Sequence, residues 1–77
     1  MNELPTVDLR GLKCPTPIVR LNEEFRALDA GAELLAVASD RAFELDVQAW
    51  CRRTGHHLLS FERDNETLRA HLRKRAG

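Results

Sequence analysis

Hydrophobic and polar residues alternate near the start of the chain and then change period. Val7 and Leu9 alternate with polar neighbours, which predicts a strand with one buried face. From Pro15 onward, apolar residues recur at steps of three and four, which predicts an amphipathic helix. The apolar face of this helix consists of Ile18, Leu21, Phe25 and Leu28. The change of period therefore predicts a strand followed by a helix that packs on a sheet.

A second strand and helix follow. Glu33 to Ser39 is a short and mostly apolar run, which predicts a strand buried on both sides or nearly so. Ser39 and Asp40 can each cap a helix that runs to about Thr54, and Gly55 is well placed to end it. The predicted inner side of this helix carries Phe43, Val47, Trp50 and Cys51.

The last third of the chain predicts a hairpin. Leu59 and Phe61 alternate with polar residues, and Asp64-Asn65 makes the turn before a final alternating strand. The order is then βαβαββ, and right-handed crossovers between parallel strands place both helices on one face. We expect one domain over residues 1–77 with an α/β (α+β) fold, a two-layer sandwich of two helices on a four-stranded mixed sheet. Lys74 to Gly77 are expected to fray.

Composition limits the classes of partner. Twelve basic residues balance twelve acidic ones, so no global field draws the chain to nucleic acid or a membrane. The few aromatic residues, none of them tyrosine, offer no stacking platform, so we expect no direct nucleic acid binding. The sequence lacks a bilayer-spanning run and a signal-peptide pattern, which favours a cytoplasmic location. Two cysteines in a reducing compartment are expected to be free thiols.

The first of these cysteines lies at the predicted helix start, in the run Leu9-Arg10-Gly11-Leu12-Lys13-Cys14-Pro15-Thr16-Pro17. Proline suits the first helical position, so Pro15 places Cys14 at the cap. There the thiol faces unpaired N–H groups and the positive end of the helix dipole, with Lys13 and Arg10 adding positive charge. This predicts a lowered pKa and a nucleophilic sulfur. The alternative is a small buried residue that happens to precede a helix.

The other cysteine and the histidines fit structural roles better than catalytic ones. Cys51 lies late in the second helix and is interpreted as core, with a resolving thiol for Cys14 as the alternative. Pro17 stands where a dithiol oxidoreductase would have its second cysteine. Zinc ligation by the two cysteines with His56 and His57 lacks the close cysteine spacing of structural sites, so no metal is expected.

A basic strip ends the chain. Arg69, Arg73, Lys74 and Arg75 are interpreted as a solvated edge that resists aggregation, with a docking role as the alternative. His71, on the same predicted strand, is expected to be exposed.

The strand, the glycine-containing link, Cys-Pro-x-Pro and the helix together resemble the TusA-like (SirA-like) sulfur carrier family. Its later landmarks are matched by Ala38-Ser39-Asp40, Asp46-Val47, Trp50-Cys51 and Gly55-His56 at family-like spacing. The resemblance therefore covers nearly the whole chain.

The resemblance implies a persulfide carrier. Family members take sulfur from a cysteine desulfurase or a rhodanese-like donor and pass it to tRNA thiolation, cofactor biosynthesis or sulfur oxidation. Cys14 matches their sulfur-bearing cysteine, and no cofactor is expected. Whether such a relay with sulfurtransferase activity counts as an enzyme stays open. The alternative is a non-catalytic regulatory or interaction module, which should tolerate a blocked Cys14.

The residues expected to support the thiol have different roles. The family match gives a turn glycine and two prolines that shape the helix start, while the two nearby cations are our candidates for stabilising the anionic sulfur. These supporting residues are Arg10, Gly11, Lys13, Pro15 and Pro17. Thr16 replaces the acidic residue often found in members that serve tRNA thiolation, which leaves the pathway undecided.

Overall fold

Six elements follow one another in the computed structural model, which describes residues 4–76. They are β1 (Thr6–Leu9), α1 (Thr16–Arg26), β2 (Glu33–Ala38), α2 (Phe43–Thr54), β3 (His57–Asp64) and β4 (Thr67–Arg73). This order confirms the predicted βαβαββ sequence of elements. Gly77, which was expected to fray, lies outside the described residues. Within residues 4–76, neither helix combines the length and the apolar character needed to cross a membrane.

The strands form one mixed sheet in the order β1-β2-β4-β3. β1 and β2 are parallel, with Val7 opposite Ala36, whereas β4 is antiparallel to both β2 and β3. The parallel pair requires a crossover, which α1 provides. Because β1 and β2 run in the same direction, the loops that follow them meet at one edge of the sheet. This edge positions the candidate site.

The core lies between the helices and one face of the sheet. Alternate residues of β2 and β4 are buried, as the pleat of a strand requires. They are Leu34, Ala36, Ala38, Leu68, Ala70 and Leu72. Leu35 and Val37, on the other face of β2, are only half-buried. The prediction that β2 is buried on both sides or nearly so therefore holds fully for the face under the helices, while the other face is of intermediate burial because no helix covers it.

That open face also holds a polar pair between β2 and β4. His71 Nε2 lies 2.7 Å from Glu33 Oε1, and both side chains are partly buried. The prediction that His71 is an exposed strand residue is wrong, because its ring pairs with Glu33 on the neighbouring strand. The pairing crosses two hydrogen-bonded strands, where such contacts add to sheet stability.

β3 contains an irregularity that the alternation of the sequence does not reveal. Leu58 lies opposite Leu72 and Phe61 opposite Ala70, with a register shift between Leu58 and Ser60. Leu58 and Phe61 pack against the core, whereas Leu59 is 44% exposed. A bulge sets two residues opposite one and so changes which residues share a face. The expected pairing of Leu59 with Phe61 on one face is wrong for this reason.

α2 follows its predicted pattern. Its four expected inner residues, Phe43, Val47, Trp50 and Cys51, are all buried. The helix ends at Gly55, which has a positive φ of 85° and donates its N–H to the Cys51 carbonyl at 2.8 Å. Glycine adopts this left-handed conformation without a Cβ penalty, which confirms it as the stop signal.

The residues after β4 are fixed rather than frayed as far as Arg75. Lys74 Nζ donates to the carbonyls of Phe25 at 2.8 Å and Leu28 at 2.6 Å. The backbone N–H of Arg75 donates to His56 Nδ1 at 3.1 Å. A lysine can hydrogen-bond the last carbonyls of a helix, and here the Phe25 carbonyl accepts both Lys74 Nζ and the Leu28 N–H at 3.2 Å. The expectation of fraying is therefore wrong for these two residues.

Candidate functional site

Cys14 is exposed in the turn between β1 and α1. The helix begins at Thr16, and Pro15 holds the N-cap position without a side-chain cap hydrogen bond. Cys14 therefore lies one residue before the cap, and the prediction that it caps the helix itself is wrong. Pro15 has φ −96° and ψ 11°, outside regular helix geometry, and its peptide bond with Cys14 is cis. The exposure of Cys14 also rules out the alternative of a buried core cysteine.

The loop after β2 holds the Cys14 turn in place. The backbone N–H of Cys14 donates to Asp40 Oδ2 at 2.7 Å, and Asp40 Oδ1 accepts the Ala42 N–H at 3.2 Å. Ser39 Oγ accepts the Gly11 N–H at 3.0 Å. Asp40 thus joins the Cys14 turn to the start of α2. The N-cap of α2 is Ala42 and has no side-chain cap hydrogen bond, so the prediction that Ser39 or Asp40 caps this helix is wrong: Asp40 bonds the turn before it, and Ser39 bonds the neighbouring Gly11 turn.

The electrostatic surroundings of the thiol are acidic. A side-chain hydrogen bond with Asp46, followed by desolvation and the negative charges of Asp46 and Asp40, raises the pKa of Cys14 above its ordinary value. The predicted lowering of this pKa is therefore wrong. Each of these causes disfavours the thiolate, because the hydrogen bond holds the thiol proton, burial disfavours charge and the two carboxylates repel a second negative charge. The resting form of Cys14 is the protonated thiol.

Asp46 was not singled out as a site residue from the sequence, although a signal for it exists. It lies in the first turn of α2, at the carboxyl edge shared by two parallel strands. Loops at that edge converge, which is where sites in sheets of this kind gather. A polar residue at the start of each following helix is therefore a candidate neighbour of Cys14.

The two cationic side chains near the thiol, Arg10 and Lys13, interact with carboxylates in this structure. Arg10 Nε donates to Asp8 Oδ1 at 2.9 Å and its second guanidinium nitrogen to Oδ2 at 3.0 Å. This pair lowers the pKa of Asp8 to about 2. The charge of Lys13 contributes to lowering the pKa of Asp40, after the backbone hydrogen bonds from Cys14 and Ala42. Neither Arg10 nor Lys13 has a hydrogen bond to the thiol within residues 4–76.

Gly11 and Pro17 shape the backbone on either side of the thiol. Gly11 has a φ of 82°, and a Cβ there would meet no atom within 4 Å, so conformation rather than space favours glycine. Pro17 is buried in the first turn of α1, where its missing N–H costs no helical hydrogen bond. Their functional importance stays a prediction.

The surface at this end of the molecule is open and partly apolar. A cavity of about 400 Å³ is lined by residues of the two loops, including Lys13, Asp40 and Arg41. Val19 is 50% exposed in the first turn of α1, and Leu45 is 73% exposed in the first turn of α2. Exposed apolar side chains beside a polar rim suit contact with another macromolecule.

Cys51 has different surroundings. It is 8% exposed in the core near the end of α2, and burial raises the pKa of its thiol. Its neighbour Trp50 donates Nε1–H to Asn22 Oδ1 at 2.8 Å. This environment fits the structural interpretation of Cys51. Across residues 4–76, no group of three or more metal-ligating side chains forms a candidate metal site.

Comparison with known proteins shows which family this chain matches. The model of the family described as Sulfurtransferase TusA matches residues 5–74. The sulfur carrier protein TusA of Pseudomonas putida is 36% identical over 70 residues, which cover 91% of this chain and 88% of that protein. YrkF of Bacillus subtilis, named as a candidate sulfur carrier, is 41% identical over 68 residues. That match covers 88% of this chain but 37% of YrkF, so the chain spans about a third of this longer relative.

A solved structure has the same fold. The crystal structure of a SirA-like protein from Desulfitobacterium hafniense superimposes with a TM-score of 0.79. The match covers 94% of this chain and 99% of that one at 20% sequence identity. At this identity the comparison supports the fold alone, and it agrees with two helices packed on a four-stranded mixed sheet.

Proposed function

Because the chain belongs to the sulfurtransferase TusA family, we propose that it is a sulfur carrier that holds sulfane sulfur as a persulfide on Cys14. The observation that supports this most is the exposed thiol at the start of α1, fixed through its backbone by Asp40 at 2.7 Å. A protruding sulfur on a small rigid domain can be reached by two proteins in turn. An enclosed pocket could not serve both.

The proposed transfer needs no oxidant or cofactor. Cys14 Sγ attacks the terminal sulfur of a persulfide on the donor protein and forms a new S–S bond. The S–S bond of the donor breaks, and its cysteine leaves as a thiolate. The proton of the Cys14 thiol passes to Asp46 or water and is available to that thiolate. A thiol of the acceptor then attacks the same sulfur and releases Cys14.

The raised pKa of Cys14 fits a carrier that retains its cargo. Once deprotonated, a thiol of higher pKa is the stronger nucleophile, and it is also the poorer leaving group. The carboxylate of Asp46, the acidic group with the largest effect on the pKa of this thiol, is our candidate to accept its proton during attack. We propose that the raised pKa slows the loss of sulfur from Cys14 until an acceptor thiol is close, while loading depends on removal of the thiol proton during attack.

The partners are proposed from the same surface. The donor is a cysteine desulfurase or a rhodanese-like protein, and the acceptor serves tRNA thiolation, cofactor biosynthesis or sulfur oxidation in the cytoplasm. Both would contact the apolar residues Val19 and Leu45, which are exposed in the first turns of the two helices. Lys13, exposed next to Cys14, would steer encounter with an acidic partner, so association should weaken with salt.

The experiment compares the two cysteines. Each variant, Cys14→Ser and Cys51→Ala, is incubated with a cysteine desulfurase and labelled cysteine, and protein-bound label is measured. We expect Cys14→Ser to fold normally and accept no label, whereas Cys51→Ala accepts it as the wild type does. Comparable labelling of Cys14→Ser would contradict the proposal. A chain that keeps its cellular role after Cys14 is blocked would instead be a non-catalytic interaction module.

A further inference from the structure

The ends of the helices opposite Cys14 form a groove of about 460 Å³. It lies where α1 and α2 both end and where the chain leaves β4. We call it the basic groove, and its charged and titratable residues are Arg26, Arg53, His56, Lys74 and Arg75. No acidic side chain lines it among the described residues.

Within residues 4–76, the arginines of the basic groove form no ion pair with an acidic side chain. Most of the arginines outside the groove do form such a pair. The arginines that form ion pairs are Arg10, Arg20, Arg63 and Arg69. The positive charge of the groove also acts on the ring of His56. After desolvation, the charges of Arg75 and Lys74 contribute to lowering the pKa of His56. The groove therefore offers uncompensated positive charge in a small space.

The groove is held in shape by hydrogen bonds. Lys74 is fixed to the carbonyls of Phe25 and Leu28, and Arg75 packs against Gly55, where an added Cβ would lie 3.4 Å from its Cδ. His56 Nδ1 accepts the Arg75 N–H at 3.1 Å, so the neutral ring carries its proton on Nε2 as a donor. The basic groove thus combines guanidinium donors with a ring N–H, a set that suits anionic oxygens.

The chemistry of the groove favours carboxylates of a protein over nucleic acid. The two large rings beneath it, Phe25 and Trp50, are 2% and 0% exposed, so bases would find no face to stack on. Guanidinium groups bind carboxylates in a two-pronged geometry that needs no stacking. We propose that the basic groove docks an acidic segment of a partner protein.

This docking would not cover the sulfur site. α1 has eleven residues, so its ends are about 16 Å apart at ~1.5 Å per residue. A partner held at the groove would leave the thiol of Cys14 accessible to a second protein. The inference depends on charge and shape at the groove and stands whether or not Cys14 carries sulfur.

The test is an NMR titration of the full chain with a synthetic oligoglutamate peptide. A matched pair of double variants, Arg26→Gln with Arg53→Gln and Arg63→Gln with Arg69→Gln, removes equal charge from the groove and from outside it. We expect peptide-induced shifts at Asn22, Gly55 and His56 in the wild type. The groove variant should bind about fivefold more weakly or worse, and the control variant should bind as the wild type does.

Other outcomes overturn the inference. Absent binding, shifts centred elsewhere or equal weakening in both double variants would show that the groove is not the docking site. Tighter binding of an oligouridylate of equal charge would make the occupant a nucleic acid instead of a protein segment. The wild-type shift map decides the location even if a variant folds poorly. Cys14→Ser should bind the peptide like the wild type, which separates this test from that of sulfur transfer.

Discussion

The carboxylates that act on Cys14 at one end of the helix pair, which we call the acidic end, and the side chains of the basic groove at the other end carry opposite charge. Asp40 and Asp46 surround Cys14 at the helix starts, whereas Arg26, Arg53 and their neighbours gather at the helix ends. Both arrangements complement the helix dipoles, which favour anions at the N-terminus and cations at the C-terminus. At the Cys14 end, however, the acidic partners of the dipole also oppose thiolate formation. A dipole argument made without its neighbouring charges therefore gives the wrong sign for the thiol pKa.

The ends also differ in how they use their charged groups. The carboxylate of Asp40 and the ammonium of Lys74 each tie a loop or tail to a helix through backbone groups. Among residues 4–76, the exposed thiol lies at the acidic end. The basic end has instead an aromatic cluster, in which the ring of His56 lies 4.7 Å from Phe25 and 5.1 Å from Trp50. We infer that chemistry is confined to one end, while the other combines stability with docking.

The largest expected effect on stability comes from breaking the basic end at Lys74. Lys74→Met removes two charge-assisted hydrogen bonds to α1 carbonyls and should cost about 1.5–3 kcal/mol of unfolding free energy. Urea denaturation measures the change. Lys13→Met, an exposed lysine at the acidic end, is the matched control and should stay within about 0.5 kcal/mol of the wild type. Equal costs for the two variants would contradict the structural role of Lys74.

A smaller effect is expected from the buried cysteine. Cys51→Ala removes one small group from the core and should cost about 1 kcal/mol, with sulfur loading of Cys14 preserved. Denaturation and loading assays on the same preparation measure both. Loss of sulfur turnover at full stability, or a Cys14–Cys51 disulfide trapped from cells, would support the resolving role instead.

The acidic end can be probed by changing a single charge. Asp46→Asn, in a Cys51→Ala background, should lower the pKa of Cys14 because its strongest acidic neighbour becomes neutral. Alkylation by iodoacetamide should then be faster at neutral pH, and its pH midpoint should move down. Asp29→Asn, at an exposed position beyond the end of α1, is the control and should leave the midpoint unchanged. A midpoint that rises or stays fixed in Asp46→Asn would contradict the assigned cause.

The smallest effect concerns pH and the basic end. The pKa of His56 is lowered in the folded chain, first by desolvation, so the unfolded chain binds a proton more readily. Stability should therefore fall as pH drops through the ordinary histidine pKa of about 6.5. His56→Gln should reduce this slope in thermal melts, whereas His57→Gln, at an exposed neighbour, should not. Equal slopes in the wild type and His56→Gln would remove His56 as the source.

Much of the fold could be predicted because its signals are local. The apolar spacing of α2 marked Phe43, Val47 and Trp50 as core, and Gly55 marked its end. The Cys-Pro-x-Pro run and the later landmarks pointed to the family that the comparisons confirm. Each of these depends on residues within a few positions of one another.

The remaining features depend on contacts between distant parts of the chain. Asp40 lies 26 positions from Cys14, and Lys74 lies 49 positions from Phe25. Only the folded sheet brings these groups together, so the sign of the Cys14 pKa and the ordered tail could not be obtained from local patterns. The bulge at Leu59 is a third case, since alternation in sequence does not show where an extra residue enters a strand.

The most direct test of the central claim locates the transferred sulfur itself. The wild-type chain is loaded by a cysteine desulfurase with cysteine, trapped by alkylation and analysed by intact mass and peptide mapping. We predict an added mass of one sulfur atom, found on the peptide that contains Cys14 and absent from the peptide that contains Cys51. Added sulfur on Cys51 alone, or none in the presence of an active donor, would contradict the assignment of the carrier thiol to the acidic end.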